Sequence, residues 1–283
     1  MSHLRVQPGE FSPSLLEDGR PLVFPDLCRH WPALGKWSPG WFRERFADRE
    51  VNVAGKALRF DHFLDQVEAS TADRPSPYLR ENFLSQYFPE LLPDIEPLPA
   101  DRWNRLNSRL LHGIAGYRRG APDLLIAGAG TRFPVLHYDL HHLHAFITQV
   151  QGRKHFWLYP PDQSRCLYPL DDQPNISGID DFDPGDLTRY PAYRQARCHE
   201  LDLHPGETIF IPSGWWHRTA VPDTSIAVTW NLVNAANWTS FVDDCYFGRD
   251  RGQSVRGRVR RLRMSAVGAM LAIGHRLGTG PAA

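Results

Sequence analysis

No apolar run in this sequence is long enough to cross a bilayer. The quietest stretch, Met264 to Gly274, falls well short of the roughly 20 residues a spanning helix needs. Net charge is missing too. The 32 Lys and Arg balance 32 Asp and Glu, so no whole-molecule field advertises nucleic acid or a membrane surface. Cysteine is scarce: Cys28, Cys166, Cys198 and Cys245 lie far apart and form no CxxC pair. That pattern suits a reducing compartment with free, mostly buried thiols. Met1-Ser2-His3-Leu4-Arg5 has no apolar h-region, so no signal peptide is visible and a cytoplasmic protein is expected. Internal repeats are absent as well.

What is present is enough for a sizeable core, with 42% hydrophobic and 12% aromatic residues in 283. The chain divides into three regions. Residues 1–110 mix short strands and helices, an α+β part expected to pack on a central barrel. Pro21-Leu22-Val23-Phe24 reads as a strand, and Ser38-Pro39-Gly40-Trp41-Phe42 opens a helix with Ser at the cap and Pro at its first position. Arg59 to Val67 is a second, amphipathic helix, and the Pro-rich piece Pro89–Pro99 is a connector. Residues 111–240 carry strand-length apolar runs punctuated by Gly, Pro and Asp, the pattern of a barrel or sandwich. Residues 241–283 form a basic helical tail.

Chemistry concentrates in the middle region. Phe133 to Leu140 reads as a strand, and alternate strand residues point the same way, so His137 and Asp139 project from one face. His217 answers them eighty positions later, inside Ile211-Pro212-Ser213-Gly214-Trp215-Trp216-His217. Two imidazoles and one carboxylate make the facial triad of non-haem Fe(II) oxygenases, which leaves metal positions open. A lone HxD is weak evidence. Gly206-x5-Pro212-x-Gly214-x2-His217, the strand–turn–strand pattern of a cupin barrel, is what strengthens it.

With these blocks the sequence resembles the JmjC/cupin-8 family of Fe(II)- and 2-oxoglutarate-dependent oxygenases, and in particular its asparaginyl-hydroxylase branch that inhibits the hypoxia-inducible factor. Leu124-Leu125-Ile126 through Asp139, Gln149 through Pro169, and His204 through Asn231 carry the likeness, with a weaker signal in Trp31-Pro32-Ala33-Leu34 and Trp37-Ser38-Pro39. The resemblance implies a double-stranded β-helix flanked by helices. It also implies Fe(II) on His137, Asp139 and His217, with 2-oxoglutarate and O₂ as co-substrates. Lys154 then meets the distal carboxylate of 2-oxoglutarate, although Arg153 and His155 are adjacent cations and a strand lysine can simply be solvated. Tyr78, in Tyr78-Leu79-Arg80-Glu81-Asn82, sits where similar enzymes use a tyrosine hydroxyl on that carboxylate, or is a surface tyrosine. Asn231 matches a family asparagine near the co-substrate, or is a hydrogen-bonded strand residue.

The sequence also departs from the family pattern. The threonine that precedes HxD in a Thr-Pro pair is replaced in Pro134-Val135-Leu136, and Thr131 is the displaced candidate for the same contact. The segment from Asp139 to Gly152 is two residues longer than in similar enzymes, lacks a usual asparagine, and holds His141, His142 and His144. His142-x-His144 repeats the alternate spacing and could serve a different cupin metal. Otherwise these histidines form a polar rim, one or two in substrate contact. Trp215 or Trp216 is expected to pack under an imidazole. Asp171–Tyr193 is a polar insertion expected to roof the site.

The tail crowds Arg249, Arg251, Arg256, Arg258, Arg260, Arg261 and Arg263 into fifteen residues before the apolar stretch Met264–Ile273. The arginines read as a solvated face pairing with Asp243, Asp244 and Asp250, with nucleic acid as the sharper alternative. The apolar half reads as a dimerisation element, as in similar oxygenases. The expected function is hydroxylation of an unactivated C–H on a protein or peptide side chain or a free amino acid, with 2-oxoglutarate converted to succinate. The alternatives are an oxygenase acting on RNA or a small metabolite, or a non-catalytic cupin binding module.

Overall fold

Apolar runs between Gly, Pro and Asp fold into two facing antiparallel sheets. The computed structural model describes residues 4–108, 121–179, 188–247 and 255–276. The larger sheet runs in the order β1 (Leu22–Phe24), β8 (Thr208–Ile211), β5 (His144–Gln151), β10 (Ser225–Leu232) and β4 (Asp123–Ala127). The smaller sheet is β7 (His199–Leu203), β6 (Lys154–Tyr159) and β9 (Trp216–Ala220). A separate hairpin, β2 (Glu50–Val53) with β3 (Lys56–Arg59), belongs to the N-terminal part. This mainly antiparallel architecture is the cupin-type jelly roll that the family resemblance implies, within the barrel or sandwich that the strand punctuation allows.

Strand parity sets what each face of the larger sheet touches. Leu125, Ala145, Ile147, Ile209, Ile211 and Ala227 point between the sheets, against Phe156, Leu158, Leu201 and Leu203. The opposite face carries Leu124, Ile126, Phe146, Phe210, Val228 and Trp230, which pack on the N-terminal residues Trp31, Phe42, Phe60 and Phe88. Phe146 and Trp230 stack at 5.1 Å, 7° from parallel. Both faces of this sheet are covered, which is why its strands read as near-continuous apolar runs.

The N-terminal part is built as its sequence signals predict. Ser38 Oγ accepts from the Trp41 amide at 3.1 Å and caps the helix Pro39–Phe46. The amphipathic helix spans Phe60–Glu68 and buries Phe60, Phe63, Leu64 and Val67. Residues Pro89–Ile95 form a 3₁₀ connector. This part also lends the larger sheet a strand, since β1 pairs with β8 through Leu22↔Phe210 and Phe24↔Thr208.

At the other end, Val255–Arg276 is a helix laid on the helix Trp238–Phe247. Met264 and Val267, from the stretch expected to join two copies, are buried against Trp238 and Phe241 of the same chain. Leu262 and Met270 stay exposed. Among the tail arginines, Arg258, Arg261 and Arg263 are exposed, and Arg261 pairs with Asp243 as the solvated-face reading anticipated. Arg249, Arg251 and Asp250 lie outside the described residues. No described helix is long and apolar enough to cross a membrane.

One turn makes the sheet register testable. Gly152, between β5 and β6, has φ +68°, and a Cβ there would lie 2.1 Å from the Thr224 carbonyl oxygen. Gly152→Ala should therefore cost at least about 1–2 kcal/mol from left-handed backbone strain alone, with a further cost from displacing Thr224. Urea unfolding checks this, and an unchanged midpoint would contradict the turn.

Candidate metal centre and co-substrate cleft

The segment expected to be the metal strand is extended but irregular. Pro134 has no N–H to give a ladder. Phe133 N donates to Thr219 O at 2.7 Å, and pairing resumes only at His137, whose N and O exchange bonds with His217 O and N at 3.1 and 2.6 Å. From the Arg132↔Ala220 bridge to the His137↔His217 bridge, five steps on one strand therefore oppose three on β9. The predicted continuous strand over 133–140 is thus a bulged edge.

The second half of the pairing brings the two histidines side by side, with ring centroids 4.4 Å apart. His137, Asp139 and His217 place their ligand atoms within 4.8 Å of one another, the one such group of three among the described residues. Each imidazole is oriented the same way. His137 Nδ1 lies 3.3 Å from Val135 O and His217 Nδ1 lies 3.1 Å from Trp215 O. A carbonyl can only accept, so each Nδ1 carries the proton and each Nε2 keeps a free lone pair. Burial, reinforced by the neighbouring His217, holds His137 well below the usual imidazole range. Burial pushes the Asp139 carboxyl up, partly offset by His217. Two imidazoles whose Nε2 atoms are turned to one carboxylate with little other company fit a divalent transition metal.

The triad opens into a cleft of about 410 Å³. Its far end holds Lys154, which is 1% exposed. Parity turns Lys154 inward, whereas Arg153 pairs outside with Asp223 and His155 with Asp202 and Glu200. Lys154 Nζ donates to Tyr78 Oη at 3.0 Å, and no described carboxylate pairs with it. The solvated alternatives for both residues therefore do not hold. A buried ammonium with only a phenol beside it is unstable unless an anion joins it.

Tyr78 arrives from outside the barrel. The chain from Tyr78 to Phe83 lies along the edge of β4, bridging Leu79↔Ile126 and Phe83↔Asp123. Asp123 Oδ2 and Oδ1 accept from the amides of Glu81 and Asn82, each at 2.7 Å, and hold Glu81 at φ +61°. Burial raises the Asp123 carboxyl to about 6 despite those amides. Asn82 bonds Asn52 in both directions, tying the β2–β3 hairpin to this wall. Arg80 and Glu81, paired at 2.5 Å, line the cleft beside Phe83.

The remaining expectations divide. Asn231 lines the cleft opposite Ala145, its amide Nδ2 donating to His144 O at 3.4 Å. Thr131 is not brought to the cleft. It is buried, and its hydroxyl shares a 3.1 Å bond with Ser76 Oγ. The His141–His144 rim is not formed either. Left-handed turns at His141 (φ 58°) and His142 (φ 51°) break the alternation that would put His142 and His144 on one face. His144 is buried and accepts from Ser213 N at 2.8 Å, and burial lowers it to about 4. His142 stacks on Tyr138 at 5.0 Å, and His141 lies 3.4 Å from Asp244. None of these three histidines lines the cleft, whereas Leu140 just before them does.

Neither tryptophan makes a ring contact with His137 or His217; Trp215 instead packs beside His199 at 5.8 Å. Trp215 Nε1 donates to Gly19 O and Trp216 Nε1 to Ser164 Oγ, both in core packing. Phe133 takes that place, stacking on His137 at 4.8 Å and 15°. The 171–193 insertion closes over the metal segment through Ile176, which bridges to His137, and Asn175 and Ile176 line the cleft. Residues 180–187 of it lie outside the described residues. Thr219 and Asp123 also line the cleft, and no motif in the sequence points to either. Parity is the signal that could have found Thr219, two residues after His217 on the same strand face.

Comparison with known proteins agrees with this geometry. The model of the cupin-like domain matches residues 8–234. The chain is 26% identical over 254 residues to the human bifunctional peptidase and (3S)-lysyl hydroxylase JMJD7, covering 74% of this chain and 76% of that protein. It is 27% identical over 223 residues to lysine-specific demethylase 8 of Xenopus tropicalis, covering 74% of this chain and 47% of the relative. Against the arginine-specific demethylase JMJ20 of Arabidopsis thaliana it is 26% identical over 265 residues, covering 81% and 55%. The chain thus spans about half the length of those two demethylases.

The donor set has a direct test. Asp139→Ala should abolish tight Fe(II) binding measured by anaerobic calorimetry, because two neutral imidazoles supply no charge. A variant that still binds Fe(II) like the parent protein would remove Asp139 from the centre.

Proposed function

The chain belongs to the cupin-like family of JmjC oxygenases, and from that premise we propose that it hydroxylates an unactivated C–H on a protein or peptide side chain. The observation that carries this reading is one cleft holding both the His137–Asp139–His217 group and the buried Lys154, which no described carboxylate neutralises. A binding module would have no use for the second. Enzymes of this family use Fe(II) and 2-oxoglutarate, and both fit what the cleft offers.

When bound, the metal with 2-oxoglutarate and O₂ supplies the oxidising power that converts C–H to C–OH, with succinate and CO₂ as the other products. The chain's own part is positioning and exclusion of water. His137, Asp139 and His217 would hold the metal, three protein donors leaving room for the co-substrates. Lys154 neutralises the distal carboxylate of 2-oxoglutarate. Tyr78, whose oxygen already accepts from Lys154, has its phenolic proton left to donate to the same group. Leu125, Ala145, Ile147 and Val135 line the space between and keep it apolar. Charges buried there act in a poorly screened setting, so a single misplaced donor is costly.

The substrate enters past Arg80, Glu81, Phe83 and Leu140, of which Phe83 and Leu140 are exposed large apolar side chains. Apolar groups flanking an ion pair suit a peptide better than a small polar metabolite. The relatives named for lysyl hydroxylation and for lysine- or arginine-specific demethylation favour a protein side chain as well.

Two measurements test the reading. Lys154→Ala should raise the 2-oxoglutarate requirement at least tenfold, as loss of a charge-assisted bond does, and spare Fe(II) affinity. An unchanged requirement would remove Lys154 from the site. Succinate release should be stimulated by members of a peptide library and not by free amino acids or tRNA. Stimulation by tRNA alone would replace the peptide reading with an RNA one.

A further inference from the structure

The C-terminal helix Val255–Arg276 carries two apolar faces, and the chain itself uses only one of them. The inward face is pinned. A Cβ at Gly268 would lie 2.3 Å from Trp238 Nε1, and that nitrogen donates to Met264 O at 3.3 Å. Met264 and Val267 are buried on the helix Trp238–Phe247, and Leu271 packs against the same cluster. At about 100° per residue, Val259, Leu262, Ala266 and Met270 fall on a separate stripe roughly 80° wide, turned away from Met264, Gly268 and Leu271. All four are exposed, Leu262 by 71% and Met270 by 54%.

Positive charge borders this stripe. The helical period sets Arg258 on one side of it and Arg263 on the other. Both are exposed, and neither has an ion pair among the described residues, whereas Arg261 is turned to Asp243. From position 251 to the last residue the sequence holds seven arginines and no Asp or Glu, although the whole chain is neutral.

An occupant of the outward face must accept both the apolar side chains and the charge. A second copy accepts the first and repels the second, because the same face of its own helix carries the same arginines. A nucleic acid takes arginines on its phosphates and gives Leu262 and Met270 nothing apolar to enter. An anionic bilayer meets both needs, with charged headgroups at the level of the arginines and the acyl boundary beneath them. A helix of this kind lies in the plane of the interface and has no need to span it. We propose that the outward face of Val255–Arg276 docks on an anionic lipid surface, with Val259, Leu262 and Met270 entering the acyl boundary and Arg258 and Arg263 meeting the headgroups.

Sedimentation of the full chain with lipid vesicles tests this without turnover. The protein should bind vesicles of equal parts phosphatidylcholine and phosphatidylserine, should not bind vesicles of phosphatidylcholine alone, and should bind less as salt is raised. Leu262→Gln with Met270→Gln should weaken vesicle binding about tenfold or more, the scale of losing two partly inserted apolar side chains. Arg258→Gln with Arg263→Gln should weaken it about 25-fold, at about fivefold for each basic residue near the surface. All four positions are exposed, so the melting temperature and Fe(II) affinity of both variants should match the parent protein. A folded parent protein that ignores the phosphatidylserine vesicles overturns the proposal. So does vesicle binding that Leu262→Gln with Met270→Gln leaves unchanged, since the face would then act as bare charge. Tight binding to single-stranded RNA without vesicle binding gives the face to nucleic acid. A dimer in light scattering that Leu262→Gln with Met270→Gln dissociates gives it to a second copy, and either result replaces the lipid.

Discussion

The site depends on one backbone pairing, the two hydrogen bonds exchanged by His137 and His217. These residues are eighty positions apart, and neither side chain alone binds a metal usefully. Pairing their main chains sets the imidazoles adjacent before any ion arrives, so the entropy of assembling the donor set is met by sheet formation. The bulge at Pro134–Leu136 serves the same end. It interrupts the edge just where His137 must turn toward β9, and it frees Phe133 to stack on the ring. Asp139 then follows at the next inward position of a segment already held in place.

The cleft shows the opposite economy in its polar groups. Around the metal donors, lone pairs are left without protons; around Lys154, protons are left without lone pairs. Both shortfalls lie inside a barrel whose walls are Leu125, Ile147, Phe156 and Leu158. Groups of this kind are costly to bury unmatched, so a cation at one end and an anion at the other would stabilise the fold.

Much of this was legible in the sequence, for identifiable reasons. Period-two parity puts His137 and Asp139 on one face and turns Lys154 inward, which is a local property, whereas the link to His217 and the role expected of Lys154 come from the resemblance to a family. The Ser38 cap and the helix Phe60–Glu68 are local in the same sense. What parity could not give is where it fails. Two left-handed residues at His141 and His142 rotate the side chains after them, so His144 ends in the core against Ser213 and Asn234, and no second histidine pair forms. Thr131 has the spacing of a shifted co-substrate threonine, but its hydroxyl is captured by Ser76 from a segment fifty-five residues earlier, a contact no spacing announces. Trp215 and Trp216 are near His217 in sequence, yet adjacent strand residues face opposite ways from it or belong to the preceding turn.

The wall from Tyr78 to Asn82 gives the N-terminal third a different standing from a flanking layer. Asn82 is knotted to Asn52 of the β2–β3 hairpin, and Asp123 at the start of β4 clamps the amides of Glu81 and Asn82. A barrel trimmed to begin near residue 111 would retain all three histidine and aspartate donors, and it would lose the phenol next to Lys154 together with one bank of the cleft. The hairpin supplies no side chain to the cleft lining, yet through Asn82 it braces the wall that does. Sequence drift around Asn52 can retune the entrance while the metal donors stay untouched.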